Sequence, residues 1–414
     1  MAVFRPFQAV RPVPELAHKV AALPYDVMNS REAREMVRGN PLSFLHVDKA
    51  EIDLDPSIDI YDPRVYEKAA ENLKTMEKTG VYMQDAEPCF YIYRQIMEGR
   101  AQIGLVGCAS VTDYLENRVK KHELTRADKE ADRIRHVDVC DANTGPIFLT
   151  YRAREDISET IHGWMNAHAP VYDFVAEDGV AHTVWVVDDR EVIAALQAAL
   201  AQVPDFYIAD GHHRAASAVR VGQKRRQENP AFSGEEEFNF FLAVLFPDAE
   251  LKIMDYNRVV HDLNGLTKAA FLDRLSRVYD ISEHLDSICH PERKHTVGMY
   301  LDGKWYHLEA KPGTFNAADP VEQLDVSILQ KNVLEPILGI DDPRTNGRIS
   351  FVGGIRGLDE LERMVDGGKA VAFAMYPTGL DDLMNIADTG NIMPPKSTWF
   401  EPKLRSGLFV HKLR

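Results

Sequence analysis

Asp210-Gly211-His212-His213-Arg214 is the densest set of chemically able side chains in the sequence. The apolar run Phe206-Tyr207-Ile208-Ala209 before it reads as a short buried strand, and Arg214 to Gln227 after it has helical composition. A strand that delivers the chain into a helix leaves the first helical amides unpaired, where the helix dipole also favours an anion. Phosphate suits that place. Gly211 removes the Cβ that would block close approach, His212, His213 and Arg214 supply donors to phosphate oxygens, and Asp210 is positioned to hold a magnesium ion. Ala215, Ala216, Ser217 and Ala218 are small enough to let the helix pack close to a sheet. The plainer alternative is an Asx-type cap by Asp210 with two exposed histidines, but capping needs neither the histidine pair nor the arginine.

A second constellation is Lys120-Lys121-His122-Glu123-Leu124-Thr125-Arg126. Thr125 and Asp128 resemble a capping box, which predicts a helix from Arg126 with Arg126, Lys129 and Arg133 near one face. His122 and Glu123 then sit beside a local basic surface, which suits a general base acting on a hydroxyl near a polyphosphate. The alternative is a solvated helix laced with pairs such as Glu130 to Arg133. The segment is not a zinc-protease motif, because H-E-x-x-H needs histidine at position 126 and arginine stands there.

Two weaker patterns remain. Gly390 to Ser397 approaches a P-loop, but Pro395 offers no N–H where phosphate would be cradled. Lys396, Ser397, Thr398 and Trp399 either line a pocket or follow a rigid Pro-Pro turn. His136 and Cys140 stand at helical spacing; two ligands make no zinc site, and a core pair is the simpler reading.

Alternating strand and helix signals supply the frame that must position these groups. Asn29 with Glu32 predicts a capped helix ended by Gly39 and Pro41. Pro63 opens a helix whose Val65, Ala69, Leu73 and Met76 share a face, and Gly80 stops it. Hairpins are expected from Cys89 to Val111 about Glu98-Gly99, and from Tyr172 to Val187 about Glu177-Asp178-Gly179. From Leu266 the pattern restarts, with a helix to Val278, a hairpin tipped by Asp302-Gly303, helices near Ile328 and Leu361, and strands at Ile349 to Val352 and Ala370 to Tyr376. No fixed-period repeat occurs, which excludes solenoids and propellers.

Composition narrows the classes. The 414 residues suit two or three domains; 45% hydrophobic and 27% charged residues exclude disorder and collagen-like architecture. A net charge of −16 repels nucleic acid as a whole, and no helix-turn-helix unit is evident, so no nucleic-acid partner is expected. The opening residues lack an apolar leader segment, and the longest apolar run, Phe240 to Phe246, is far too short to span a bilayer. A cytoplasmic protein with no membrane partner is the expectation. Cys89, Cys108, Cys140 and Cys289 are dispersed and read as reduced thiols.

The segments LPYDVM (Leu23 to Met28), NPLSFLHVDKAEIDL (Asn40 to Leu54), KKHELTRADKEADRIRHV (Lys120 to Val137), YIADGHHRAASA (Tyr207 to Ala218) and MPPKSTWFEPKLRSGL (Met393 to Leu408) resemble the family of domain of unknown function 1015 (DUF1015) over nearly the full chain. That name carries no chemistry. The Asp-Gly-His-His-Arg element is similar to the phosphate-binding motif of the ParB/sulfiredoxin-like fold, whose chemically nearest members are free serine kinases that use ADP, ATP or pyrophosphate with magnesium. The resemblance implies Asp210 near the metal and the reacting hydroxyl, with Gly211, His212, His213 and Arg214 on phosphate. The kinases' catalytic glutamate lies outside the motif, and Glu123 is assigned to that role on chemical grounds, with His122 beside it. Arg126, Lys396 or the Arg348 region would supply the cation for an amino-acid carboxylate.

The expected architecture is an α/β (α+β) protein. It comprises an N-terminal α/β segment over 1–110, a ParB/sulfiredoxin-like nucleotide-binding core over 111–260, and an additional α/β C-terminal unit over 261–414. The expected function is a small-molecule kinase passing a phosphoryl group from ADP, ATP or pyrophosphate to a free hydroxy amino acid, L-serine foremost. The alternatives are a nucleotide-binding regulatory module without turnover, a nucleotide or phosphoester hydrolase, and a sulfiredoxin-like redox enzyme. The last needs a cysteine beside the phosphate motif, and Cys140 is the nearest in sequence.

Overall fold

Strand Phe206–Asp210 sits next to the edge of a nine-stranded mixed sheet and leads directly into helix His212–Glu228. In this computed structural model, which describes residues 1–284 and 287–414, that sheet belongs to a unit formed by Met1–Leu251 together with Pro402–Arg414. The main path of the sheet starts at Val119–Lys120, passes through Phe206–Asp210, Ile147–Tyr151 and Phe240–Pro247, and continues through the hairpins Arg100–Ser110/Phe90–Met97 and Ala181–Val187/Tyr172–Val175. Val119–Lys120 runs parallel to Phe206–Asp210, and Ile147–Tyr151 runs parallel to Phe240–Pro247; the other pairings are antiparallel.

The hairpin about Glu98-Gly99 forms as its sequence requires, because both residues take positive φ (51° and 78°), which glycine tolerates and a tight turn demands. The capping box of Asn29 and Glu32 opens helix Ser30–Met36. Helix Pro63–Lys78 buries the face that carries Val65, Ala69, Leu73 and Met76. Phe240–Phe246, whose apolar run gave no period, is a fully buried strand between two neighbours. Phe90, Leu105, Leu149, Phe206, Ile208 and Phe241 meet in its core, each contributing about 1.5–3 kcal/mol of burial if fully removed from water.

Residues 1–110 are not a separate segment. Arg100–Ser110 pairs with Phe240–Pro247, which makes it an interior strand of the same sheet. The tail also returns: Val410 bonds with Val10, Ser406 with Ala22, and His411–Lys412 pairs with Ala142–Asn143. The division therefore falls at 251/252 and 401/402, and not at the expected 110 and 260.

The unit Lys252–Glu401 carries a six-stranded antiparallel sheet ordered Tyr279–His284, Lys304–Ala310, Thr296–Leu301, Val371–Met375, Tyr256–Val260, Ile349–Gly353. Its hairpin turns at Asp302-Gly303, and helices Lys268–Leu275, Asp325–Leu329 and Asp359–Asp366 occupy the expected places. The protein is thus a mixed α/β fold in both units. No helix among the described residues is long and apolar enough to cross a membrane.

Candidate functional site

The turn at Asp210 is shaped by a bulge. Ile208 faces Leu149 while Asp210 faces Phe148, so two residues oppose one and Asp210 is re-aimed at the strand end. Gly211 follows at φ +92°, a region other residues rarely enter. A Cβ there would lie 3.1 Å from the Arg214 guanidinium, so the space the missing side chain leaves is filled by Arg214.

The cap residue of helix His212–Glu228 is Gly211, which has no side chain to offer its first amides. Asp210 Oδ1 accepts from the Gly211 N–H at 2.8 Å and bonds no amide of the helix, so the Asx-type cap does not form. The helix start therefore keeps its first amides for another acceptor. Small residues close the packing behind it: Ala215, Ala216, Ser217 and Ala218 are buried, and a Cβ on Gly222 would strike the Phe238 carbonyl at 2.6 Å.

Two cations converge on Asp210. Lys403 Nζ lies 3.3 Å and Arg214 Nη2 3.8 Å from Oδ2. Burial works against the ionised carboxylate, but Lys403, Arg214 and the Gly211 N–H outweigh it and hold Asp210 well below the usual carboxylate range. Arg214 also donates to the Pro146 carbonyl, while its Nε is buried without a hydrogen-bond partner. Burial alone would lower the pKa of Arg214, yet Asp26, Asp210 and Asp48 raise it.

The expected magnesium does not fit at Asp210. A dication would have to share one carboxylate with an ammonium and a guanidinium already beside it, and no second carboxylate is paired into that turn among the described contacts. Asp210 orients the two cations.

The histidines also bond within the protein. His213 Nε2 accepts from the Arg126 N–H at 3.0 Å, and His212 Nε2 accepts weakly from the His122 N–H at 3.5 Å. Nε2 of each ring accepts there, which places the proton of the neutral ring on Nδ1, and burial lowers both pKa values. The rings tie the Lys120–Arg126 segment to the helix start. Glu123 is brought there with them, its Oε2 4.0 Å from His212 Nδ1. His122 is only 2% exposed and stacks edge-on against His212 with ring centres 4.4 Å apart. Burial pushes it down to about 4 despite the Asp210 charge, so it is no proton carrier near neutrality.

Helix Ala127–Cys140 starts one residue later than expected, with Arg126 as its unassisted cap; the Thr125 hydroxyl bonds Glu130 instead. Arg126 itself is 56% exposed and pairs with Asp128, so its side chain is held at the surface. Lys396 belongs to the other unit, where it lies over the Tyr256 ring with φ +61° in the Pro-Pro turn, and Arg348 in that unit pairs with Asp262. His136 bonds the Val47 carbonyl and contacts Cys140 Sγ at 4.0 Å as a core pair. Cys140 is buried and its thiol is pushed up to about 12 by that burial, which removes the sulfiredoxin-like alternative's thiolate.

Sequence reasoning missed Lys403 and a small cavity lined in part by Tyr25, Asp48, Arg133, Asn143, Thr144 and Arg214. Arg133 lies over Tyr25 and pairs with Asp132, and Asp48 accepts from Thr144 at 2.8 Å. The segments around Tyr25 and Asp48 stood out as motifs, but nothing in their composition says that they face Arg214.

Comparison with known proteins adds the following. The family described as "Protein of unknown function (DUF1015)" matches residues 4–327. No curated protein matches in sequence. Among solved structures, a free serine kinase in complex with AMP is similar at 15% identity and a TM-score of 0.36, covering 71% of this chain and 89% of that one. A variant of a free serine kinase in complex with ADP gives 13% and 0.37 over the same shares. SbnI with a C-terminal truncation, from Staphylococcus aureus, gives 11% and 0.37, covering 72% of this chain and 82% of that one. Scores of this size carry no chemistry, which rests on the residues themselves.

Proposed function

This chain belongs to the DUF1015 family, whose description carries no chemistry, and from the Asp210 turn we propose that it is a small-molecule kinase. It would transfer a phosphoryl group from ADP, ATP or pyrophosphate to a free hydroxy amino acid, most concretely L-serine, on a ParB/sulfiredoxin-like core. The observation that carries this reading is the helix start at His212, whose cap residue is a glycine while Lys403 and Arg214 converge on Asp210 beside it. Open amides, a helix dipole and two fixed cations together recognise a polyphosphate.

Phosphoryl transfer asks a protein for positioning, neutralisation of charge and a carboxylate to take the hydroxyl proton. Lys403 and Arg214 supply the neutralisation, Asp210 positions them, and Glu123 is the base.

Purified protein incubated with magnesium, each donor in turn and a panel of free amino acids should yield a phosphomonoester signal by phosphorus NMR, and Asp210→Asn should abolish it while the fold persists. Binding of donor without any product, in every combination, would replace the kinase by a nucleotide-binding module. Release of inorganic phosphate alone would make the protein a hydrolase.

A further inference from the structure

His122, Glu123 and His212 each present one ligand atom, and these atoms lie within 4.8 Å of one another. The geometry points to a transition-metal site made by these three side chains, and we propose that it takes a divalent ion of the Zn2+, Mn2+ or Co2+ class.

The independent observation is His122. It is 2% exposed, yet neither ring nitrogen makes a hydrogen bond of ordinary geometry. A buried imidazole normally satisfies at least one nitrogen, since leaving a polar group unpaired costs on the order of 1–3 kcal/mol. A metal ion satisfies it. The surroundings prepare the ligands for that task. His212 Nδ1 faces Glu123 at 4.0 Å, and the contact of the His122 N–H with Nε2, at 3.5 Å, is at the limit of a hydrogen bond, so the ring proton can move to Nε2 when Nδ1 ligates.

Ligand identity selects the ion. Two imidazoles and one carboxylate suit zinc and the borderline first-row metals, whereas magnesium prefers an all-oxygen set. Bonds of about 2.0–2.2 Å require the ligand atoms to close together, and the Glu123 side chain is 39% exposed. Three protein ligands leave a position open at the helix start, where a phosphate oxygen can bind.

One consequence rests on the kinase reading: the metal and a proton compete for the Glu123 carboxylate, so a loaded site and general-base action exclude one another. Metal binding itself does not depend on that reading, and its test needs no turnover.

Chelator-treated full-length protein titrated with Co2+ should take up one tight equivalent with visible ligand-field absorption, and Zn2+ should displace it by calorimetry. Glu123→Ala, which removes a partly exposed side chain and leaves the core intact, should weaken Co2+ at least about tenfold, no less than the loss expected from a supporting group. His212→Gln should abolish the spectrum; circular dichroism verifies that it folds. An unchanged Co2+ spectrum in a folded Glu123→Ala or His212→Gln protein, or no absorption beyond free Co2+ in the parent, overturns the site. Inhibition of phosphoryl transfer by Zn2+ at one equivalent supports it, while a failure of all turnover bears on the kinase reading alone.

Discussion

Lys403 Nζ lies 3.3 Å from Asp210 Oδ2 although 193 residues separate them in the chain. The tail that carries Lys403 is held in place by its own backbone, since the Gln95 amide donates to the Lys403 carbonyl. An ammonium fixed in this way is a positioned charge and not a loose surface lysine. Lys403→Ala should therefore weaken ADP binding by about 1.5–3 kcal/mol, the scale of a hydrogen bond to a charged group. Isothermal calorimetry decides the matter, and unchanged affinity would place the phosphate elsewhere.

Arg214 shares the Asp210 carboxylate with Lys403, so the two cations are coupled. Arg214→Ala alone should cost about 1.5–3 kcal/mol of donor affinity. The double variant should depart from the sum of the single ones by about 0.5 kcal/mol or more, as residues in one charge network do. Strict additivity in that cycle would mean that Asp210 does not link them.

Glu123→Gln keeps the shape of the side chain and removes its ability to accept a proton. Under the kinase reading, kcat should fall by about 10²–10⁴ with donor affinity nearly unchanged. Equal kcat in parent and variant would pass the base role to another carboxylate.

Gly211→Ala introduces a Cβ at φ +92°, 3.1 Å from the Arg214 guanidinium. The backbone conformation alone costs about 1–2 kcal/mol, and Arg214 must also shift off its place beside Asp210. Urea denaturation should show that loss, and donor affinity should drop with it. A variant as stable as the parent would show that the turn can relax to negative φ.

His182 supplies a pH test away from the site. It is buried, its Nε2 accepts from Arg405 Nε at 3.2 Å, and its Nδ1 is 2.7 Å from the Tyr93 hydroxyl. Arginine only donates, so Nε2 carries no proton and the ring is neutral. Burial, aided by Arg405, pushes it down to about 3, so the unfolded chain binds the proton more readily than the folded one. The stability this neutral ring contributes is complete above about 6.5 and is lost as pH falls toward about 3, at about 1.4 kcal/mol for each pH unit inside that window. His182→Gln should flatten the slope of unfolding free energy against pH between 6.5 and 4. An identical slope would falsify the assignment.

Local chemistry made much of this molecule readable from sequence. The capping box at Asn29 and Glu32 and the hairpins at Glu98-Gly99 and Asp302-Gly303 formed where expected, and so did the strand-to-helix turn at Gly211. Each depends on groups a few residues apart, so the signal and its cause share one window of chain. The mixed strand order, the bulge before Asp210 and the return of residues 402–414 depend on pairings across the whole chain, which leave no periodic trace. Tertiary structure also decided what the site residues do. It set Lys403 against Asp210, turned His212 and His213 into acceptors, buried His122, and brought Asp48 and Arg133 to the Arg214 cavity. Residue type fixes which protons and charges a side chain can offer, but burial and the neighbours supplied by distant segments fix which of them it keeps.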